Sequence, residues 1–398
     1  MFRRKNLNYT VPTEGDITPY SPAESPLPDP SGWFCLGTSH TVRPGAVVTR
    51  RLLEQDVVLW RARSGRLTAT RPYCPHLGAH LGRGGTVRGE DIVCSFHAFS
   101  FAPDGGCTGT AYGTRPPKAR LSLLPVEEVN GLIMVWYHPE GAPPSWRVPA
   151  LPTDGWSPPH YSITESPGHP QEVLENAIDV GHLGTLHTSV MTGGSAAEPF
   201  REDGPGCTTT LRLATRIPFT GRTYTSDYQI KIHGVGYLVA DIDLRLGIGL
   251  RVWALPVVTG PWRMQVRWAA SARVPAPRLL PPPLRRPFAA RASRLLARLT
   301  HWFNHTRFIM PEKGGDLPVW SAKTFLHHPR LAQGDGPFMR WRRWADQFYP
   351  ARARRASTGP DRVETVVAES VRPAEPEPAF SLPAPPAADP RSSRGDHR

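Results

Sequence analysis

The chain has 398 residues, 39% apolar and 20% charged, enough to bury more than one core. No run of 18 apolar residues occurs, which excludes a membrane-spanning helix, and the basic start MFRRKNLNYTVPTEGD lacks the apolar stretch of a secretory signal, so a cytoplasmic location is expected. The formal charge is +13, concentrated in arginines at 278–307 and 340–355, and five scattered cysteines form no disulfide framework and point toward metal or reactive thiols.

Residues 1–32, with SPAESPLPDPSG, are expected to form an extended arm. From 33 to 145, short β-rich runs (WFCLGT, AVVTRRLL, DVVLWRA, LTATRPY, GLIMVWY) alternate with Gly, Asp and Asn turns, the pattern of a small antiparallel domain. EGAPPSWRVPALP reads as a linker. Across 146–350 a helical segment at about 170–187 precedes runs such as TTTLRLATRI, DYQIKIH, YLVADIDLRL and RMQVRWAASARV, which fit strands with one buried and one wetter face. Helices are expected at 287–308 and 336–349, and 351–398 has the composition of a disordered tail.

Two segments of the small domain carry chemistry. RPYCPHLGAHLG holds Cys74 and His76, and IVCSFHAFSFAPDGG holds Cys94 and His97, giving C-x-H, seventeen residues, C-x-x-H. Two thiolates and two imidazoles suit a tetrahedral zinc, or a [2Fe–2S] cluster in which one iron takes the cysteines and the other the histidines. Zinc loops usually leave two to four residues between paired ligands, so C-x-H favours the cluster. Gly78, Gly82, Gly105 and Gly106 allow backbone N–H groups to approach sulfides, and His80 reads as a loop or supporting residue. This resembles the Rieske domain.

The segment ENAIDVGHLGTLH places Asp179 and His182 on one helical face, and His187 returns to it only if the helix loosens or ends near Gly184. Alone it reads as a helix with hydrogen-bonded histidines or as a metal site; no H-E-x-x-H is present for a zinc protease. Following a Rieske-type pattern, N-x-x-D-x-x-H-x4-H resembles the α-subunits of Rieske non-haem iron oxygenases. The resemblance implies an α+β chain, an all-β Rieske domain followed by a catalytic domain with a curved antiparallel sheet flanked by helices, helix-grip or START-like. It implies a [2Fe–2S] cluster and an Fe(II) held by His182, His187 and a distant carboxylate. It gives Asp179 the position that connects a Rieske histidine of a neighbouring subunit to an iron histidine, and places Asn176 and Glu175 close to the iron. GGDLPVW offers Asp316 as the carboxylate, with Asp335 of QGDGP as runner-up. Asp316, followed by Pro318, suits the start of a helix.

Within that family the single-chain layout and the ending DGPFMRWRRWADQFY look most like the branch of 3-ketosteroid 9α-hydroxylase oxygenases and cholesterol 7-desaturases. This implies hydroxylation or desaturation of a bulky apolar substrate with O2, a homotrimer, and electrons from an NAD(P)H-dependent reductase, directly or through a ferredoxin; no Gly-rich dinucleotide fingerprint occurs in the chain itself. The alternative is a Rieske electron-transfer or regulatory protein whose second site holds no iron. The arginine-rich stretch 278–307 fits a solvated helix face, a peripheral contact with anionic lipid, or a ferredoxin dock. Nucleic acid is not expected, since no binding motif accompanies the charge.

Overall fold

The computed structural model describes residues 25–216, 222–310, 315–333 and 335–350. The expected tail at 351–398, and residues 1–24 of the expected arm, lie outside the described residues. The end of the arm packs on the body: Leu27 is buried with Trp262 and Phe325, and Ser31 donates from both its backbone N–H and its hydroxyl to the Phe348 carbonyl.

The small domain consists of antiparallel sheets. Gly32–Thr38 pairs with Leu132–Tyr137, which pairs with Val126–Val129. A second sheet runs Val47–Leu52, Gln55–Arg61, Leu67–Thr70, Leu123–Leu124. A third runs Thr86–Arg88, Asp91–Val93, Ser100–Phe101, Cys107–Gly109, and the segments bearing Cys74 and Cys94 are the loop that enters it and the loop that joins its middle strands.

The large domain is built on a seven-stranded antiparallel sheet. Met191–Asp203, Gly206–Arg216, Thr223–His233, Tyr237–Asp243, Gly249–Gly260 and Arg263–Arg273 follow one another as a meander, and His160–Pro167 closes the far edge beside the last of them. The expectation of one wetter face fails for Arg263–Arg273. Gly249–Gly260 and Arg263–Arg273 are buried almost throughout because the small domain covers the second face. Met264, Val266 and Trp268 point into the helical side, whereas Ala269 joins Trp33, Cys35, Met134 and Leu255 in a core shared by both domains. Val257 and Val258 likewise pack with Phe34, Leu36 and Leu59. The expected linker is part of this seam: Val148 is buried, Trp146 packs edge-on against Trp136, and its carbonyl accepts from Trp33 Nε1 at 2.8 Å.

Four helices cover the other face: α1 (Pro170–Glu175), α2 (Pro282–Asn304), α3 (Asp316–Ala322) and α4 (Phe338–Ala345). The helix expected at 170–187 stops at Glu175 and gives way to tight turns and a 3-10 segment, Gly181–Gly184. Beyond Glu175 the N–H groups of Ala177, Ile178 and Asp179 return to the carbonyl three residues back instead of four, and Asp179 Oδ1 accepts from the backbone N–H groups of Gly181 at 3.0 Å and His182 at 3.3 Å, which shapes the segment that carries His182. α2 starts earlier than expected, at Pro282, and runs on through a π-helical turn, His305–Ile309.

α1 and α4 are joined by a buried ion pair. Arg342 Nε and a terminal nitrogen donate to the two Glu175 oxygens at 2.7 and 2.9 Å. Removing one partner of such a pair leaves an uncompensated buried charge. Arg342→Met should therefore lower the unfolding free energy by about 3 kcal/mol in denaturant titration; unchanged stability would show that the pair does not secure these helices.

Candidate metal centres

The two loops of the small domain share one backbone design. In each, the cysteine N–H donates to the carbonyl five residues on (Ala79 at 2.8 Å, Phe99 at 2.9 Å), and the N–H four residues on returns to the cysteine carbonyl (Gly78 at 2.9 Å, Ala98 at 3.1 Å). That turn requires a left-handed residue, met by Gly78 at φ 75° and, less comfortably, by Ala98 at φ 50°. Cys74 and Cys94 end up buried and adjacent, and His76 donates its backbone N–H to the Cys74 sulfur. Burial, with the neighbouring Cys94, pushes the Cys74 thiol up to about 11. His76 stacks on Phe99, centroids 4.2 Å apart at 9°, and lies 4.9 Å from the His97 ring. His97 Nδ1 is buried without a protein partner. Two facing thiols and a ring nitrogen with an unused lone pair fit a cluster with mixed thiolate and imidazole ligation. His80 stands apart: Nε2 is 3.1 Å from Asp56 and Nδ1 accepts from the Gly82 N–H, so it braces the loop.

The second centre gathers residues far apart in sequence. His182 on the 3-10 segment, His187 beyond it and Asp316 at the first position of α3 place one donor atom each within 4.8 Å of one another. Asp316 Oδ1 is 3.0 Å from His187 Nε2 and 3.9 Å from His182 Nε2. His187 and Asp316 are buried and His182 nearly so. Two imidazole nitrogens and one carboxylate oxygen on a cavity wall fit a ferrous ion with open positions. Asp179 lies behind this group, its Oδ2 3.4 Å from His182 Nδ1, and Asn176 Nδ2 is 3.3 Å from His182 Nε2. Burial opposes a charge on His182, but the Asp179 contact and the charge of Asp316 outweigh it and raise its pKa. Asp179 is likewise held below the usual carboxylate range, against burial, by His182 and the backbone donors.

Two expected residues lie elsewhere. Glu175, expected close to this centre, is turned to Arg342 and Gln171. Asp335 is exposed, and its Oδ2 accepts from the Ala332 N–H at 2.6 Å as a turn residue.

Supporting residues were not legible as such. A Cβ on Gly315 would collide with the backbone of Ile309 and Met310, and one on Gly336 with the Ile178 carbonyl. Neither contact is marked in the sequence, because close backbone approach leaves no local pattern. Phe308 of the π-helical turn packs on the His187 ring at 4.9 Å, and Trp320 stacks on Trp268 of the sheet at 6.1 Å and 13°, securing α3.

The centre opens into a cavity of about 850 Å³ between the sheet and α2. Its wall is apolar, including Leu211, Leu213, Ile230, Leu238, Trp268 and Phe303, with a few polar side chains, among them Tyr224, Tyr228, Thr300 and Asn304.

Fold and donor sets define a Rieske-type two-centre protein. Residues 32–122 match the Rieske [2Fe-2S] domain, and 135–252 with 304–349 match the 3-ketosteroid 9α-hydroxylase C-terminal domain, which leaves most of α2 outside the match. A cholesterol 7-desaturase of Xenopus laevis is 29% identical over 350 residues, 80% of this chain and 72% of the relative. A probable 3-ketosteroid-9-alpha-monooxygenase oxygenase component of Rhodococcus rhodochrous is 27% identical, over 80% of this chain and 79% of the relative. In fold the chain is similar to dicamba monooxygenase (TM-score 0.55, 14% identity, 80% of this chain and 96% of that one) and to the terminal oxygenase of carbazole 1,9a-dioxygenase from Novosphingobium sp. KA1 (0.55, 18%, 80% and 93%). The chain belongs to the Rieske non-haem iron oxygenases, in the branch of the 3-ketosteroid 9α-hydroxylases and cholesterol 7-desaturases.

Gly315→Ala should push α3 away from the π-helical turn and draw Asp316 off His187. The expected result is loss of iron from the second centre with the visible absorption of the cluster unchanged; full iron content would refute the role given to this contact.

Proposed function

We propose that the chain is the terminal oxygenase component of a Rieske-type system, hydroxylating or desaturating a bulky apolar substrate of steroid-like or polycyclic kind. The observation that carries this reading is the large apolar cavity that opens on His182, His187 and Asp316. The relatives, named as acting on cholesterol and 3-ketosteroids, support the same substrate class.

In this reading Cys74, His76, Cys94 and His97 hold the [2Fe–2S] cluster, and His182, His187 and Asp316 hold the iron. When bound, the cluster supplies single electrons and the iron a site for O2. The chain itself sets the conditions. Asp179 orients His182 through Nδ1 so that Nε2 faces the cavity, and Asn176 holds the other edge of the ring. The apolar wall excludes water from the reacting face and leaves shape to select the substrate.

Electrons come from an NAD(P)H-dependent reductase, directly or through a ferredoxin. Tyr73, Leu77, Phe96 and Tyr112 are exposed apolar side chains beside the cluster ligands, which supports a docking surface for that donor or for a neighbouring subunit. Asp179, with 26% of its side chain exposed, would meet a Rieske histidine of a second copy in a homotrimer.

Iron analysis tests the reading. The holoprotein should hold about three irons per chain, and Asp316→Ala about two with the cluster spectrum intact, while Asp335→Ala should lose none. Two irons in the unaltered protein, with no change in His182→Ala, would favour an electron carrier without oxygenase activity. A separate test concerns Asp179: Asp179→Asn should retain both metals yet abolish NADH-coupled oxygen consumption, and normal turnover would remove it from the electron path.

A further inference from the structure

α2 forms one wall of the cavity and presents an uncovered outer face. Its inner side is Ser293, Ala297 and His301, buried against the sheet. On the outer side Leu284, Phe288, Leu295, Leu299 and Trp302 follow at spacings of four, seven, four and three, which keeps them in one stripe about 60° wide. Each is 48–60% exposed. Arg291, Arg294 and Arg298 lie along one flank of the stripe by the same helical spacing. Residues 278–307 contain seven arginines and no Asp or Glu. Among the described residues, none of these arginines pairs with a carboxylate.

The opposite flank turns inward. Leu296, Thr300 and Phe303 line the cavity, and Leu299 does so while half exposed, so the outer stripe is continuous with the cavity wall. The hairpin between Tyr237–Asp243 and Gly249–Gly260 repeats the arrangement: Leu244 and Ile248 line the cavity, and Leu246 between them projects at 89% exposure. Arg245 and Leu246 hold φ of 68° and 51°, a conformation L side chains adopt at a cost. Gly247 sits beside Pro275, in the segment that leads into α2, so both apolar projections belong to one rim.

We propose that this rim docks on an anionic lipid surface, with the α2 stripe and Leu246 in the headgroup and acyl boundary and the arginine flank on lipid phosphates. Large apolar side chains interleaved with unpaired arginines along one helix are what an interfacial helix requires, since burial and charge act together. An acidic electron donor would need charge without the leucine, phenylalanine and tryptophan stripe, and would have to reach His76 and His97 on the small domain. The rim then faces the bilayer, and an apolar substrate passes from lipid to cavity without crossing water. That passage rests on the cavity being the substrate site; the docking does not.

Flotation of the full-length holoprotein with vesicles tests the docking without turnover. The protein should float with phosphatidylcholine vesicles containing phosphatidylglycerol and remain below with phosphatidylcholine alone, and salt raised to about 1 M should weaken the binding. Phe288→Asp with Leu295→Asp should cut the bound fraction about tenfold, with cluster absorption and iron content unchanged. Arg291→Glu with Arg294→Glu should do the same through charge alone. Absence of flotation, equal flotation of the variants, or equal binding to both vesicles overturns the proposal, as does capture of an acidic electron-transfer protein by this face with no vesicle binding. A chain that floats but lacks the second iron would leave the docking standing and sink the oxygenase reading.

Discussion

A buried carboxylate, Asp316, lies 3.0 Å from His187 across 129 residues of sequence, and much of the large domain serves to keep it there. An ionised carboxylate removed from water is costly unless positive or hydrogen-bonding groups surround it. The chain answers from two sides. On one, α3 is pinned by Trp320 on Trp268 and by the close approach of Gly315 to the π-helical turn. On the other, the His182–His187 segment is shaped by Asp179 and wedged by Gly336 against Ile178. Neither side contains the site; it exists where they meet.

The sheet that carries Trp268 is rigid for a reason outside the large domain. Its central strands are buried on both faces, one against the helices and cavity, the other against the strands that begin and end the small domain. Trp33 and Cys35 of the first strand therefore belong to the same packed interior as Trp253 and Leu255, and Phe34 packs with Val257 and Val258. Close packing of that kind has low compressibility and fixes orientation well. The cluster loops and the second centre are held as parts of one body, although their sequences form separate motifs.

What was readable in sequence follows this division. The two cysteine and histidine pairs were legible because each pair lies on one loop, where spacing is geometry. The strands at 206–216, 223–233, 237–243 and 263–273 were legible from alternation, yet their second face was misjudged where another domain covers it, which no local pattern reports. The continuous helix at 170–187 failed because the backbone bonds tighten to three-residue turns from Ala177 on and Asp179 then takes the Gly181 and His182 N–H groups, neither of which apolar periodicity registers. Asp316 was reachable only through the family resemblance, and Gly315 and Gly336 not at all as supports, since their role is contact with backbone remote in sequence or across a turn.

The two carboxylates around His182 have different consequences because an imidazole has two distinct nitrogens. Asp179 stands 3.4 Å from Nδ1, and Asn176 lies 3.3 Å from Nε2 on the other edge of the ring. Asp179 thus supplies negative charge behind the ring, and Asp316 supplies it on the side of Nε2. Together they raise the affinity of His182 for a proton in the absence of any other cation. The same negative charge would favour a divalent ion held by His182, His187 and Asp316. Exchanging the roles would fail: a carboxylate behind Nδ1 cannot reach the cavity, and one in the cavity cannot orient the ring. In the proposed centre this is why Asp179, three residues from His182 and the nearer carboxylate in sequence, would orient the ligand and not replace Asp316 as one.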